Sequence, residues 1–296
     1  MQRKLVKQGP STMTLSLPKD WIDRFNLKNG DEVDLIEAET KLIISSSKKP
    51  GSAETIKYDF ENIAEHLIRA ILIGMYKFGL KDIKIININP KQLSKTKEII
   101  SNSPGLEIID STKNSLHIID IGIAAEETIT KSENQIYWKI MNMVDKIIED
   151  KSSKEEIHSI DMEINRLCFF IQRNLASRFS ANAKTFLEYE KIALLESLGD
   201  SIRGFNKYSK KSNDEIKTLG EISKFIEGIR IFESKNDIVL LKNLREDLET
   251  LKNKTKINEK KPELTRIFLR PIFTVLSDLY ENLIAQNIKN LAMNKE

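Results

Sequence analysis

The chain has 296 residues, 40% of them hydrophobic and 31% charged, a composition typical of globular proteins, and its length allows two or three domains. No apolar run approaches the roughly eighteen residues of a membrane span, and the N-terminus lacks the apolar segment of a secretion signal, so we expect a cytoplasmic protein without membrane insertion. The net charge of +3 is too small to indicate a nucleic-acid ligand by itself.

Residues 1–47 predict a small unit that contains a strand, a helix and a hairpin. Gly9-Pro10 marks a turn, and residues 13–17 alternate between apolar and polar side chains, the period of a half-buried strand. Pro18 ends this strand and suits the first turn of a helix at 19–25. A second turn at 29–31 precedes two apolar strands. A unit of this size has little core, so it needs the rest of the chain or a second copy of itself.

Charge is segregated within this unit. Residues 1–28 hold six basic and two acidic residues, a net charge of +4, whereas residues 29–47 hold one basic and five acidic residues, a net charge of −4. Such a basic patch is the footprint expected of a protein that binds a phosphate backbone, but a solvated surface gives the same pattern. Charge alone leaves both interpretations open.

Residues 3–45 resemble the swapped-hairpin DNA-binding domain of AbrB, SpoVT and MazE-type regulators, and within that family the archaeal branch. The resemblance rests on Gly9-Pro-Ser-Thr-x-x-x-Ser-Leu-Pro-Lys-Asp-Trp21 and on Leu27-x-x-Gly-Asp-x-Val33. It implies that residues 1–47 of two chains form one β-barrel, hence a homodimer that binds double-stranded DNA. Basic side chains would contact phosphates, and hydroxyls would donate to phosphate oxygens. Carried over by position, the expected DNA-binding residues are Arg3, Lys4, Lys7, Ser11, Thr12, Lys19 and Arg24.

The polar, breaker-rich stretch at 45–52 predicts a linker to a second segment at 54–122. Strand patterns at 56–58, 82–89, 107–110 and 115–121 alternate with helix patterns at 60–78 and 90–102. The order β-α-β-α-β-β predicts a small α/β sandwich. Because it has no Gly-rich phosphate loop, and because His66 and His117 are isolated, we interpret it as a spacer or dimerisation module.

From residue 126 onwards long amphipathic helices replace the strands. Short connections between them predict antiparallel neighbours and two consecutive three-helix bundles. Cys168 lies in an apolar run and is expected to be a core residue. No activated nucleophile or His-rich set is visible, so we expect no enzyme. The predicted helices are 126–150, 154–179, 183–209, 214–233, 237–254 and 262–293.

A group of acidic residues is the one feature of this helical half that could carry chemistry. Glu196 and Asp200 are four residues apart, on one helix face, and Asp161 and Asn165 have the same spacing. Like charges repel at this spacing, and a hard cation or a basic neighbour would relieve the repulsion. A solvated acidic stripe is the alternative.

Residues 126–293 resemble the PhoU family of phosphate-uptake regulators. The resemblance rests on Asp161-x-Glu-Ile-Asn-Arg-Leu-x-Phe-x-Ile-x-Arg173 and on Glu196-x-x-Gly-Asp200. It implies an all-α domain of six helices in two bundles. It also implies a divalent metal (Fe, Zn, Mn or Mg) in the first bundle, with Glu196 and Asp200 as ligands, assisted by Asp161 or Glu163. Asn165 and Ser277 depart from the pattern, because each stands where an acidic residue is usual.

Together the segments predict a multidomain protein: a dimeric swapped-hairpin barrel, a small α/β connector and a PhoU-like helical domain. The expected function is a DNA-binding transcriptional regulator of phosphate uptake. The alternative is a cytoplasmic adaptor that acts by contact with a phosphate transporter or sensor protein.

Overall fold

A computed structural model of the protein describes residues 2–38, 41–46, 55–122, 126–150, 152–177, 183–235, 237–254 and 264–293. Most of the linker predicted at 45–52 lies outside these residues, as do the ends of the helices predicted at 154–179 and 262–293. The elements are β1 (Val6–Lys7), β2 (Met13–Thr14), α1 (Lys19–Arg24), β3 (Asp34–Ala38), β4 (Lys41–Ser45), β5 (Ile56–Asp59), α2 (Glu65–Phe78), β6 (Asp82–Ile86), α3 (Pro90–Ser101), β7 (Leu106–Ser111), β8 (Ser115–Asp120), α4 (Glu126–Ile148), α5 (Lys154–Ser177), α6 (Ala183–Tyr208), α7 (Asn213–Lys235), α8 (Ile238–Lys254) and α9 (Leu264–Met293).

The N-terminal unit, residues 2–46, consists of two separate antiparallel hairpins, β1–β2 and β3–β4, with α1 between them. The strand predicted at 13–17 is paired only at Met13 and Thr14, because its partner β1 is two residues long. Beyond Thr14 the backbone continues without a partner strand among the described residues. The two hairpins therefore do not close into a barrel within one chain.

No side chain described in the N-terminal unit is buried. The core of the protein begins only at Phe60. Six large apolar side chains of the unit are instead exposed to solvent, by 43% to 65% of their surface. They are Leu5, Val6, Met13, Leu15, Leu35 and Leu42. The half-buried strand that the alternation predicts therefore has no core to face in the single chain.

The connector, residues 55–122, contains one four-stranded sheet in the order β5-β6-β8-β7. Strand β5 is parallel to β6, and the other pairs are antiparallel. Alternate residues of β6 and β8 are buried, and α2 packs against α3, so one face of the sheet is covered. The element order is the one that the sequence predicts. The sequence predicts an isolated His117, but its Nε2 lies 2.8 Å from Asp82 Oδ1 across the β6–β8 pair.

The helical body, residues 126–293, contains six described helices. The first three helices, α4, α5 and α6, all contact one another. In the second three, α8 contacts both α7 and α9, while α7 packs on α4 and α9 packs on α6. The two groups therefore share one interface. Cys168 is fully buried in α5, as predicted for a core residue. Among the described helices, none has both the length and the apolarity that a membrane crossing requires.

Arg173 joins the helical body to the connector. Its guanidinium donates hydrogen bonds to the carbonyl oxygens of Tyr76 (2.9 Å) and Leu80 (3.2 Å), at the end of α2. It also lies 2.7 Å from Asp120 Oδ2, at the end of β8, and both side chains are almost completely buried. The guanidinium carbon lies 4.9 Å from the centre of the Tyr76 ring. A buried charge needs such partners, so Arg173 fixes α5 against the connector.

Removing the charge of Arg173 should be costly. In Arg173→Met the apolar stem remains, but the carboxylate of Asp120 stays buried without its partner, so the free energy of unfolding should fall by about 3–5 kcal/mol. The matched control, Arg245→Met, breaks the half-exposed pair with Glu249 and should cost less than about 1 kcal/mol. Urea unfolding measures both. Equal losses in the two variants would contradict a special role for Arg173.

Candidate nucleic-acid interface

The loop between β1 and β2 is held in a compact turn. The Gln8 N–H donates a hydrogen bond to the Thr12 carbonyl oxygen at 2.8 Å. Gly9 has a φ of +83°, a conformation that glycine adopts at little cost and other residues rarely adopt. The side chains of Ser11 and Thr12 are therefore presented to solvent at the tip of the hairpin.

The short helix α1 carries one basic residue at each end. Pro18 precedes it in an extended conformation, and its carbonyl oxygen accepts a hydrogen bond from the Trp21 N–H at 3.1 Å. The ring of Trp21 lies 5.2 Å from that of Phe25, on the less exposed side of the helix. Lys19 and Arg24 begin and end the helix, about 7.5 Å apart along its axis, and both are exposed.

All seven residues predicted to contact DNA are exposed. Within the described ranges, none of the five basic ones forms an ion pair with a carboxylate, in contrast to the arginines of the connector–body junction and of the helical core. Exposed cations without partners are free to contact phosphate oxygens. The residues are Arg3, Lys4, Lys7, Ser11, Thr12, Lys19 and Arg24.

Asp20 and Asp23 lie on α1, but the other described acidic residues of the unit lie on a different part of it. Glu32, Asp34 and Glu37 are exposed in or just before β3. Asp31 stabilises the preceding turn, where its Oδ2 accepts a hydrogen bond from the Lys28 N–H at 2.5 Å. The basic residues are carried by the N-terminal segment, the first hairpin and α1, so the sequence-level segregation of charge persists in the fold.

The acidic residues predicted as metal ligands meet a guanidinium in the helical body. Arg203 of α6 places its Nε 2.9 Å from Asp161 Oδ2 and donates from Nη2 to Asp200 Oδ1 at 2.8 Å. Asp161 is 1% exposed, and its Oδ1 has no hydrogen-bond partner in the described part of the chain. Burial raises the pKa of Asp161 to about 6, although Arg203 opposes the shift.

Glu196 and Glu163 are the other two predicted metal ligands. Glu196 lies close enough to Asp161 and Asp200 to interact electrostatically with both, and burial, partly offset by Lys77, raises its pKa. Glu163 is turned away from this cluster and forms an ion pair with Lys139 of α4. Among the residues that the structure describes, no three His, Cys, Asp or Glu side chains are arranged to hold a metal ion. In this structure the guanidinium of Arg203 contacts two of the predicted ligands, Asp161 and Asp200, and metal binding by Glu196 and Asp200 stays a prediction.

Sequence reasoning missed Arg203, although its spacing from Asp200 is a signal that was available. Residues three apart are neighbours on a helix, so a basic residue at this position relieves the repulsion between Glu196 and Asp200. It also missed a second buried cluster, in which Lys191 of α6 contacts Glu133 of α4 and Glu233 of α7. No local pattern joins these three residues, because they come from three different helices.

Residues 6–52 match the family model described as antidote-toxin recognition MazE, bacterial antitoxin. The part of the match at 47–52 lies outside the described residues. Searches of the curated proteins and of the solved structures gave no match. The N-terminal unit is therefore a domain of the AbrB/MazE type, a type associated with DNA-binding regulation.

The raised pKa of Asp161 predicts a specific pH dependence of stability. Its folded-state pKa of about 6 lies above the ordinary value of 3.8, so the native state holds its proton more tightly than the unfolded state. The stabilisation from this proton is complete below about pH 4 and is lost as the pH rises through about 6. Relative to Asp161→Asn, the wild-type protein should therefore lose roughly 1–3 kcal/mol between pH 4 and pH 7.

Urea unfolding at a series of pH values measures this difference. Asp247→Asn, at an exposed position of α8, is the matched control. The free energy of unfolding of the wild type minus that of Asp161→Asn should fall as the pH rises. A value of this difference that stays constant or rises with pH would contradict the assignment.

Proposed function

We propose that the chain is a cytoplasmic, DNA-binding transcriptional regulator of phosphate uptake that acts as a homodimer. The observation that carries the DNA-binding part is a set of exposed basic residues, on a unit of the AbrB/MazE type, that form no ion pair with any described carboxylate. The phosphate part is supported by the resemblance of residues 126–293 to the PhoU family and by their six-helix arrangement.

The homodimer is supported by the apolar surface of the N-terminal unit. Leu15 follows the paired part of β2, is 43% exposed and lies in a stretch of backbone that pairs with no strand the structure describes. Leu35 and Leu42, on the second hairpin, are 60% and 59% exposed. Burying an apolar side chain of this size contributes about 1.5–3 kcal/mol. A second copy of the unit offers the same stretch of backbone and the same apolar residues. Two copies can therefore pair these stretches and bury these side chains against each other.

Dimerisation also doubles the basic surface. Each copy brings a hairpin with Lys7 in its first strand and Ser11 and Thr12 in its loop, and a helix with Lys19 and Arg24. Two such sets related by a two-fold axis match the local symmetry of duplex DNA, so a palindromic or near-palindromic target is expected. Contacts to phosphates set the register of the dimer on the duplex and make its affinity dependent on salt.

Lys19 and Arg24 can be tested together. Lys19→Ala, Arg24→Ala removes four cations per dimer and should weaken binding to a short duplex by at least about tenfold near physiological salt. The slope of log affinity against log salt should become shallower by up to roughly 4, since each phosphate contact contributes about 0.9. Fluorescence anisotropy at several salt concentrations measures both quantities.

The matched control is Lys97→Ala, Arg270→Ala, which removes the same charges from exposed positions of α3 and α9. This control should leave affinity and slope close to the wild-type values. Equal effects of the two double variants would show that only overall charge matters, and salt-independent binding by the wild-type protein would contradict the proposal.

A second candidate function is that of an adaptor that contacts a phosphate transporter or sensor protein. The observation that favours it is a groove of about 620 Å³ between α4 and α7, where Trp138 is 56% exposed beside Met141 and Ile231. Sequencing the genomic DNA bound by the protein in cells grown with and without phosphate separates the two functions. The regulator binds discrete sites whose occupancy changes with phosphate, whereas the adaptor enriches none.

A further inference from the structure

A cleft of about 230 Å³ lies where the connector meets the helical body. Its walls come from α2, from the C-terminal end of α3 and from α5. Ile73, Ile99 and Phe169 give it an apolar surface, and the polar side chains lie around them. Because α2 and α5 belong to different parts of the protein, anything bound here touches both.

Two arginines line the cleft and form no ion pair in the part of the chain that the structure describes. Arg69 of α2 makes one hydrogen bond among the described residues, from Nη2 to the weak acceptor Met162 Sδ at 3.8 Å, and it also interacts electrostatically with Glu196. Arg166 of α5 forms neither a hydrogen bond nor an ion pair within the described part of the chain. Arg173 and Arg203, which lie nearby on α5 and on α6, each hold a buried carboxylate. The cleft thus gathers two guanidiniums that form no ion pair within the described ranges, and most of their donors have no partner there.

Asn165 adds an unpaired amide to the same cleft. Its side chain is 7% exposed, and its Oδ1 is completely buried without a hydrogen-bond partner. Its amide nitrogen likewise donates no hydrogen bond to a residue that the structure describes. Buried amides are normally satisfied, and the two ends of the amide are interchangeable by a half-turn of the side chain. Asn165 can therefore donate to a bound anion or accept from its hydroxyl.

The acidic residues of the lining leave a positive balance. Glu163 is neutralised by Lys139 of α4. Glu98 is exposed at the end of α3 and forms no ion pair within the described ranges. With Arg69 and Arg166 on the other side, the lining itself is formally neutral, and it carries +1 once the Lys139 that pairs with Glu163 from outside the lining is counted. This balance favours an anion, and the volume admits a small one.

We propose that this cleft binds a small oxyanion through Arg69 and Arg166, with Asn165 as an additional hydrogen-bond partner. Guanidinium groups present paired donors that match the oxygens of phosphate, sulfate and carboxylate, and these ligands share that chemistry. Binding would join α2 to α5 beside the Arg173 contact and would stabilise the junction of the connector and the body. The site uses no residue of the N-terminal unit, so it stands independently of DNA binding.

Isothermal titration calorimetry on the full chain tests the site with inorganic phosphate, sulfate and acetate, each compared with chloride at equal ionic strength. At least one of the three oxyanions should bind with saturation at one site per chain and should raise the midpoint of thermal unfolding. The ranking of the three identifies the source: phosphate and sulfate together indicate a tetrahedral anion, and acetate alone indicates a carboxylate.

The variant Arg69→Gln, Arg166→Gln should weaken this binding by about tenfold or more, since each charge-assisted contact is lost. Arg270→Gln, at an exposed position of α9, is the matched control and should bind like the wild-type protein. Asn165→Leu keeps a similar volume and should weaken binding even if the arginine variant folds poorly. Absence of saturable binding for all three oxyanions, or equal loss in Arg270→Gln, overturns the proposal.

Discussion

The N-terminal unit has apolar side chains on both hairpins and no core in which to bury them. Its strands are too short to close a sheet within one chain, and among the described residues the stretch that begins at Leu15 has no partner strand. The same unit holds basic residues without carboxylate partners among the described residues. The proposed second copy would bury the apolar side chains, and the proposed nucleic acid would supply phosphates for the basic ones. Both proposals therefore rest on the same segment.

The rest of the protein differs, because its buried charged side chains contact partners within the chain. Arg173 holds Asp120 and two carbonyl oxygens where the body meets the connector, and Lys191 lies between Glu133 and Glu233 among three helices. Removing one partner from such a cluster strands a buried charge, so these contacts resist rearrangement. The connector and the body therefore form one framework. The cleft at Arg69 and Arg166 is the exception, because these two arginines form no ion pair among the described residues.

The elements with strong periodicity could be predicted from the sequence. The helices of the body and the β-α-β-α-β-β order of the connector follow from the spacing of apolar residues, and α3 begins at Pro90 behind an Asn89 cap, as its local sequence dictates. Contacts between distant segments were beyond reach. Carboxylates four residues apart predict a cation, but the sequence does not say whether the cation is a metal or the side chain of Arg203. The strand predicted at residues 13–17 is longer than the observed β2. Its alternation of apolar and polar residues predicts a buried face, and a single chain provides no core for that face.

The central claim, that the N-terminal hairpins complete their core with a second copy, is tested most directly by the mass of the protein in solution. Light scattering after size-exclusion chromatography should give a dimer for the wild-type chain and a monomer for Leu15→Glu, since a charge cannot enter the shared core. The matched variant Ile288→Glu, at a position of α9 that is 56% exposed, should remain a dimer. A monomeric wild-type protein, or a Leu15→Glu variant that dimerises as well as the wild type, would contradict the account.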